Sequence, residues 1–189
     1  MNLQEEILKS VELFRKGKVL LIPTDTIWGI SCDATNAKAV QRIFKIKGRE
    51  ESKSMIILLD TVEKLEKYLK NVPPLAYDLL ANSRSPLTIV YSGAKNLARN
   101  VIAKDGTIAI RIVSGEYCSE VLRLLDRPLV STSANLAGQP TATLFEDINP
   151  AIIHQVDYVV EAFRDRVRSV KPSTIIKLDE NGLFKVLRP

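Results

Sequence analysis

The sequence predicts a mixed α/β fold, and two observations carry that prediction. Over the first 130 residues, short apolar runs alternate with stretches of helical periodicity. The end of the chain changes character: residues 173–178 and 183–187 flank Asp179-Glu180-Asn181-Gly182 and read as a hairpin. A hairpin added to alternating strands and helices favours a mixed sheet over a purely parallel one. A length of 189 residues suits a single domain spanning 1–189.

Each element has a local reason. Leu3, Ile7, Val11 and Phe14 recur at spacings of four, four and three, the apolar face of a helix over 3–15 that Gly17 ends. A strand starts at Lys18; Val19 to Ile22 is its buried apolar run, and Pro23, with no N–H to give a neighbour, limits it. Thr24, Asp25 and Thr26 follow, then a turn at Trp28-Gly29. Asn36 can cap a helix over 37–46 that buries Ala39, Val40, Ile43 and Phe44 and breaks at Gly48. Residues 55–59 read as a second buried strand. A helix over 61–69 follows, capped by Thr61, then another over 75–81 after Pro73-Pro74, and a strand over 87–91. Residues 93–105 are polar and irregular, with a short helix near Leu97, and Asp105-Gly106 marks a turn. The strand at 107–113 carries Arg111 among isoleucines, so that charge lies on a solvated face or is committed to a partner. A helix over 119–125 stops at Asp126-Arg127-Pro128. Thr143 with Glu146 resembles a capping box, and 157–160 reads as a late strand.

Composition narrows the class of protein. No stretch approaches eighteen apolar residues, and the polar, acidic N-terminus is not a signal peptide, so a cytoplasmic protein is expected. Cys32 and Cys118 read as small buried hydrophobes rather than a disulfide framework. With one histidine, His154, there is no metal-binding His/Cys cluster, and neither a Walker loop nor Gly-x-Ser-x-Gly occurs. The net charge of +5 is modest but unevenly spread: Lys38, Arg42, Lys45, Lys47, Arg49 and Lys53 are clustered, and Arg164, Arg166, Arg168 and Lys171 form a second group. Such charge suits a protein that handles nucleotides or RNA.

Three polar groups could carry chemistry, and each has a plainer reading. Thr24, Asp25 and Thr26 end a buried strand, where ligands sit in open α/β sheets, or they merely cap a turn. Ser131-Thr132-Ser133 with Asn135 can cradle phosphate oxygens, or they form a Ser/Thr-rich turn. Lys47 and Arg49, pointing the same way if extended, can clamp a polyphosphate, or they are surface charges beside a helix end.

Taken together, six short blocks resemble the YrdC-like family, in its short single-domain form of L-threonylcarbamoyladenylate synthase (TsaC type). They are Pro23-Thr24-Asp25-Thr26-Ile27-Trp28-Gly29, Ile46-Lys47-Gly48-Arg49 with Ser52-Lys53-Ser54-Met55, Pro86-Leu87-Thr88, Thr107-Ile108-Ala109-Ile110-Arg111, Ser131-Thr132-Ser133-Ala134-Asn135 with Gly138 and Pro140, and Pro172-Ser173-Thr174. The chain departs from the family pattern at Trp28, where many relatives have Tyr, at Glu50 and Ser54, where prolines are usual, and at 113–116, which commonly contains a Pro and a His.

The resemblance implies a twisted open mixed sheet with flanking helices around a concave basic cavity. It implies synthesis of threonylcarbamoyl-AMP and pyrophosphate from L-threonine, bicarbonate and ATP carried with Mg²⁺. A tRNA threonylcarbamoyl-transfer complex then modifies adenosine 37. On this reading Lys47 and Arg49 are catalytic and hold the triphosphate, and Ser131, Ser133 and Asn135 complete the nucleotide site. Thr24, Thr26 and Arg111 meet threonine or its carbamate. Trp28, Ser173 and Thr174 line the cavity, and Asp25 supports from behind. The competing reading is a double-stranded RNA or tRNA binding module without adenylate-forming activity, contacting phosphates through Lys38, Arg42, Lys45, Lys53 and Arg84.

Overall fold

The computed structural model describes residues 2–48, 55–165, 172–179 and 181–189. Its strands are β1 (Leu20–Pro23), β2 (Trp28–Asp33), β3 (Ile56–Leu59), β4 (Leu87–Tyr91), β5 (Ile108–Ile112), β6 (Leu129–Ser133), β7 (Tyr158–Val159), β8 (Thr174–Leu178) and β9 (Phe184–Arg188). They form one sheet in the order β7-β1-β2-β6-β3-β5-β4-β8-β9. The pairs β1·β7, β3·β5 and β4·β8 are parallel and the others antiparallel, so the sheet is mixed as expected.

The helices are α1 (Leu3–Arg15), α2 (Ala37–Lys47), α3 (Leu65–Tyr68), α4 (Pro74–Asn82), α5 (Glu116–Leu125) and α6 (Pro150–Ile153). Asn2 starts α1 through a capping box with Glu5, and Asn36 starts α2 by accepting from the amides of Lys38 and Ala39. Helices α1 and α5 pack on each other and reach β2 and β3 respectively, while α2 lies against β2.

Strand alternation divides the sheet into two faces. In cross-strand register, Val130, Ile57, Ile110, Ile89 and Ile176 form one row over five strands, and all are buried. Each such side chain contributes about 1.5–3 kcal/mol through burial. The opposite face carries Gly29 beside Ser133, Ile56 between Ser131 and Ala109, and then Arg111, Thr88, Ile175 and Arg188 in successive register. One face is therefore an apolar row, and the other collects hydroxyls and guanidiniums.

Several local expectations change. Trp28 and Gly29 do not form a turn; they begin β2, and the turn comes earlier, at 24–27. Gly, Ser and Asp give β2 little strand propensity, but it is held between β1 and β6 with all six residues buried. The 61–69 segment splits into a 3₁₀ turn, Val62–Lys64, and α3, and the Thr61 side chain makes no capping bond. The short helix near Leu97 is a 3₁₀ turn at Arg99–Val101. Thr143 starts no helix. Pro150 forces Asn149 to be extended, which leaves too few residues for one, and Asn149 instead caps α6.

Asp157 ties distant parts of the fold together. Its carboxylate accepts from the Val19 amide at 2.8 Å, pairs with Arg42 of α2, and lies 3.7 Å from Lys18. Burial pushes this carboxyl up, but the Val19 amide, Arg42 and Lys18 outweigh burial and hold it below the ordinary value of 3.8. A depressed carboxylate stabilises the fold above its ordinary value, and that contribution disappears as pH falls through the lowered one. Asp157→Asn is expected to destabilise the protein by about 2 kcal/mol at neutral pH. Paired thermal melts should show the gap to wild type closing below pH 3.8; a gap that persists in acid would contradict this.

Candidate functional site

A cavity of about 350 Å³ lies on the polar face of the sheet, within the size range of small-molecule sites. Gly29 of β2, Ser131 and Ser133 of β6, Ile56 of β3, Arg111 of β5, Val90 of β4, Ile175 of β8 and Arg188 of β9 all border it. These seven strands are consecutive neighbours in the sheet. Laid flat they would span roughly 29 Å. For all of them to reach one small cavity, the sheet must curl around it.

The turn between β1 and β2 adds Thr24 and Thr26, both buried. The Thr24 hydroxyl donates to the Ile27 carbonyl at 2.6 Å, accepts from the Thr26 amide at 3.2 Å, and lies 3.1 Å from the Thr26 hydroxyl. Gly29 beneath them has no room for a side chain: a Cβ there would come within 2.5 Å of Ser131 Oγ and 3.3 Å of the Thr24 methyl group. On the far wall the Ser173 and Thr88 hydroxyls are 2.7 Å apart, and Arg188 donates to the Ser173 carbonyl through Nε at 3.0 Å and Nη2 at 2.7 Å.

Arg111 stands between these walls. Its guanidinium is 6% exposed and its Nη2 lies 3.0 Å from Oδ1 of Asp25, itself 6% exposed. The charge amid isoleucines is thus committed to a partner. Burial pushes the Asp25 carboxyl above its usual range, opposed by Arg111 and by the backbone amides of residues 25 and 114. Burial, and then Arg111, lower the pKa of Arg188, as two nearby like charges require. Arg111 and Arg188 are the ionisable side chains of the described lining, and no carboxylate accompanies them. Two guanidiniums among hydroxyls form a receptor for a polyanion or carboxylate.

Of the residues expected from sequence, Thr24, Thr26, Arg111, Ser131, Ser133 and Ser173 border the cavity together. Trp28 and Thr174, expected in the lining, are absent from it. Each is adjacent in its strand to a lining residue, Gly29 or Ile175, so alternation turns it to the other face. Trp28 packs instead on Phe145, with ring centroids 5.0 Å apart. Arg49 lies outside the described residues, as do Lys53, Arg166, Arg168 and Lys171. Thr132, named with the hydroxyl group of β6, also borders the cavity, while sequence reasoning missed Thr141 and Arg188; the strand expected to end at Leu187 runs one residue further and presents Arg188.

Lys47 is not part of an extended clamp. It is the last residue of α2, followed by Gly48 in the left-handed conformation that ends the helix. The side chain is buried, and Nζ donates to the carbonyls of Ser133 and Asn135, both at 2.6 Å. The Asn135 side chain donates to the carbonyls of Leu136 and Gln139, shaping the same turn. Lys47 and Asn135 therefore brace the β6 end of the cavity from outside its described lining.

Other charged and reactive groups have local explanations. Arg42 is paired with Asp157, and Arg164 lies 4.7 Å above the Phe145 ring. Lys38, Lys45, Arg84 and His154 are exposed. Cys32 and Cys118 are buried, and burial, then Asp33, hold the Cys32 thiol well above its usual range. Among the described residues, no group of three His, Cys, Asp or Glu side chains could hold a metal ion, and no helix is long and apolar enough to cross a membrane.

A mixed sheet curled around an arginine- and hydroxyl-lined cavity defines the class as an α/β protein with a polar cavity on one face of its sheet. Comparison with known proteins makes this specific. The family model of Sua5, YciO and YrdC, described as telomere recombination, matches residues 12–189, and the chain belongs to this family. A threonylcarbamoyl-AMP synthase of Pseudoalteromonas translucida is 30% identical over 188 residues, which cover 98% of this chain and 100% of the relative. The crystal structure of P. abyssi Sua5 complexed with L-threonine superposes with a TM-score of 0.88 at 26% identity, covering 100% of this chain and 55% of that one. E. coli YciO superposes with a TM-score of 0.85 at 28% identity, covering 98% and 89%. Family membership supports nucleotidyltransferase-like enzymatic activity in general terms.

The bracing geometry makes Lys47 matter to stability before any ligand binds. Lys47→Met removes the charge-assisted hydrogen bonds of the ammonium to the Ser133 and Asn135 carbonyls, which should cost about 3 kcal/mol. Urea unfolding without nucleotide measures this. Unchanged stability would show that the ammonium does not brace the turn.

Proposed function

We propose that the chain is an L-threonylcarbamoyladenylate synthase. The observation that carries this reading is the convergence of Arg111 and Arg188 with the hydroxyls of Thr24, Thr26, Ser131, Ser133 and Ser173 in one cavity whose described lining has no carboxylate. The synthase relative and the threonine-bound Sua5 structure supply the reaction class.

The threonine amine attacks the carbon of bicarbonate, and loss of water gives a carbamate. A carbamate oxygen then attacks the α-phosphate of ATP, and the bond to the leaving pyrophosphate breaks. Little acid–base work is needed, while charge accumulates on phosphate oxygens, so fixed cations and hydroxyl donors are the effective catalysts. Arg111 takes the threonine carboxylate or the α-phosphate, and Arg188 shares the anion. Thr24 and Thr26 line the threonine–carbamate end, and Ser131 and Ser133 donate to phosphate. Lys47 and Asn135 fix the shape of that turn, and the family resemblance assigns Arg49 to the triphosphate. Mg²⁺ arrives bound to ATP as part of the substrate. The adenylate is passed on to an enzyme that modifies tRNA.

Incubation with ATP, bicarbonate and L-threonine should release pyrophosphate in a threonine-dependent manner, and Arg111→Ala should lower kcat/KM by roughly 100- to 1,000-fold. Release that ignores threonine, or full activity in the variant, would contradict the proposal.

A further inference from the structure

We propose that Asp25 is a positioning residue for Arg111: it holds the guanidinium against the cavity wall so that the remaining N–H donors face the bound anion. The inference rests on the synthase reading for its assay, but its geometry does not depend on which anion binds.

The two residues occupy opposite sides of one wall. Arg111 borders the main cavity, and Asp25 does not. Asp25 instead borders two smaller spaces behind it, one with Ser114 to Cys118 and the other with Ser83 to Leu87. A ligand in the main cavity therefore meets the guanidinium without touching the carboxylate. That is the placement of a support, not of a catalytic residue.

The guanidinium of Arg111 is ion-paired with Asp25. Nη2 lies 3.0 Å from Asp25 Oδ1, and Arg111 Nε is buried with no hydrogen-bond partner. A guanidinium carries five N–H donors in a rigid fork. Here the fork is held from behind by Asp25 through Nη2, and Nε is uncommitted.

The opposing wall explains why the support has to be charged. Arg188 is tethered to the Ser173 carbonyl, and its lowered pKa reflects burial together with Arg111. With no carboxylate in the described lining, repulsion would drive Arg111 away from Arg188 before an anion arrived. Asp25 is the counter-charge that keeps both cations at one cavity. The amides of residues 25 and 114, with Arg111, oppose the upward push of burial on its carboxyl.

Two other roles for Asp25 predict different results. A carboxylate that only neutralises charge would, on removal, leave a more positive cavity with a lower KM for ATP and unchanged kcat. One that only stabilises the fold would lower the melting temperature and leave kcat per folded molecule alone. Positioning predicts a loss of kcat that exists only while Arg111 is present.

The experiment is a double-mutant cycle on threonine-dependent pyrophosphate release with Asp25→Asn, Arg111→Ala and the combined variant, with folding checked by circular dichroism. Asp25→Asn should lower kcat by about ten- to a hundredfold, a misplacement effect, with a smaller change in KM. The combined variant should match Arg111→Ala alone, because coupled residues do not add. Multiplying effects, or wild-type kcat in Asp25→Asn, would overturn the proposal. If Asp25→Asn does not fold, Asp25→Glu keeps the charge and moves it by one methylene; a lower kcat with little change in KM is then expected, and unchanged kcat overturns the proposal. If the wild type releases no pyrophosphate with threonine, the synthase reading fails on its own. Calorimetric binding of inorganic pyrophosphate then reads the pair: weaker binding in the Asp25 variant supports positioning, and equal or tighter binding overturns it.

Discussion

Burying a guanidinium in the middle of a sheet is the constraint on which the rest of the structure turns. A charge taken from water needs a partner nearby, and removing one member of such a pair is far more damaging than the net value of the pair suggests. Arg111 meets that need through Asp25, which is 86 residues earlier and arrives on the turn between β1 and β2. Strands β6 and β3 lie between β2 and β5, so the pair bridges the curled face of the sheet. The same turn places Thr24 and Thr26 on the cavity. One ion pair thus links the position of a hydroxyl-bearing turn to that of the central cation.

The two faces of the sheet divide the remaining work. The row from Val130 to Ile176 supplies apolar burial. The other face gives up that burial to hold hydroxyls, a glycine and two arginines around empty space. Such a face is stable only where each polar group is tethered, and most are: Ser173 to Thr88, Arg188 to a carbonyl, Thr24 to the Ile27 carbonyl. Ser31 Oγ, buried and without a hydrogen bond, is an exception beside Ser131. Outside the described lining, Lys47 fastens the end of α2 to the turn that follows β6.

Much of this could be read from residue order, and what could not has physical causes. Helices α1 and α2 followed from periodicity and from Asn36, and β4 from a bounded apolar run. Strand β2 was hidden because Gly29, Ser31 and Asp33 are poor strand formers whose place is fixed by neighbours on both sides. The spacing of Lys47 and Arg49 suggested an extended clamp, whereas Gly48 ends a helix there. For Arg111 the sequence showed that a charge in an apolar strand is either solvated or paired, but pairing across 86 residues leaves no local trace. Trp28 and Thr174 fall on the far face by strand parity, which shows only once the register is known. The six short blocks pointed to the family as a set, because their meeting is a property of the curled sheet and not of any one block.

The most direct measurement of the central claim is a crystal structure of the chain with L-threonine and a non-hydrolysable ATP analogue. The account predicts an anionic group of a ligand within hydrogen-bonding distance of both Arg111 and Arg188, with the Asp25–Arg111 pair intact behind it. Ligands bound away from the two guanidiniums, or Arg111 turned from the cavity with its link to Asp25 broken, would contradict it.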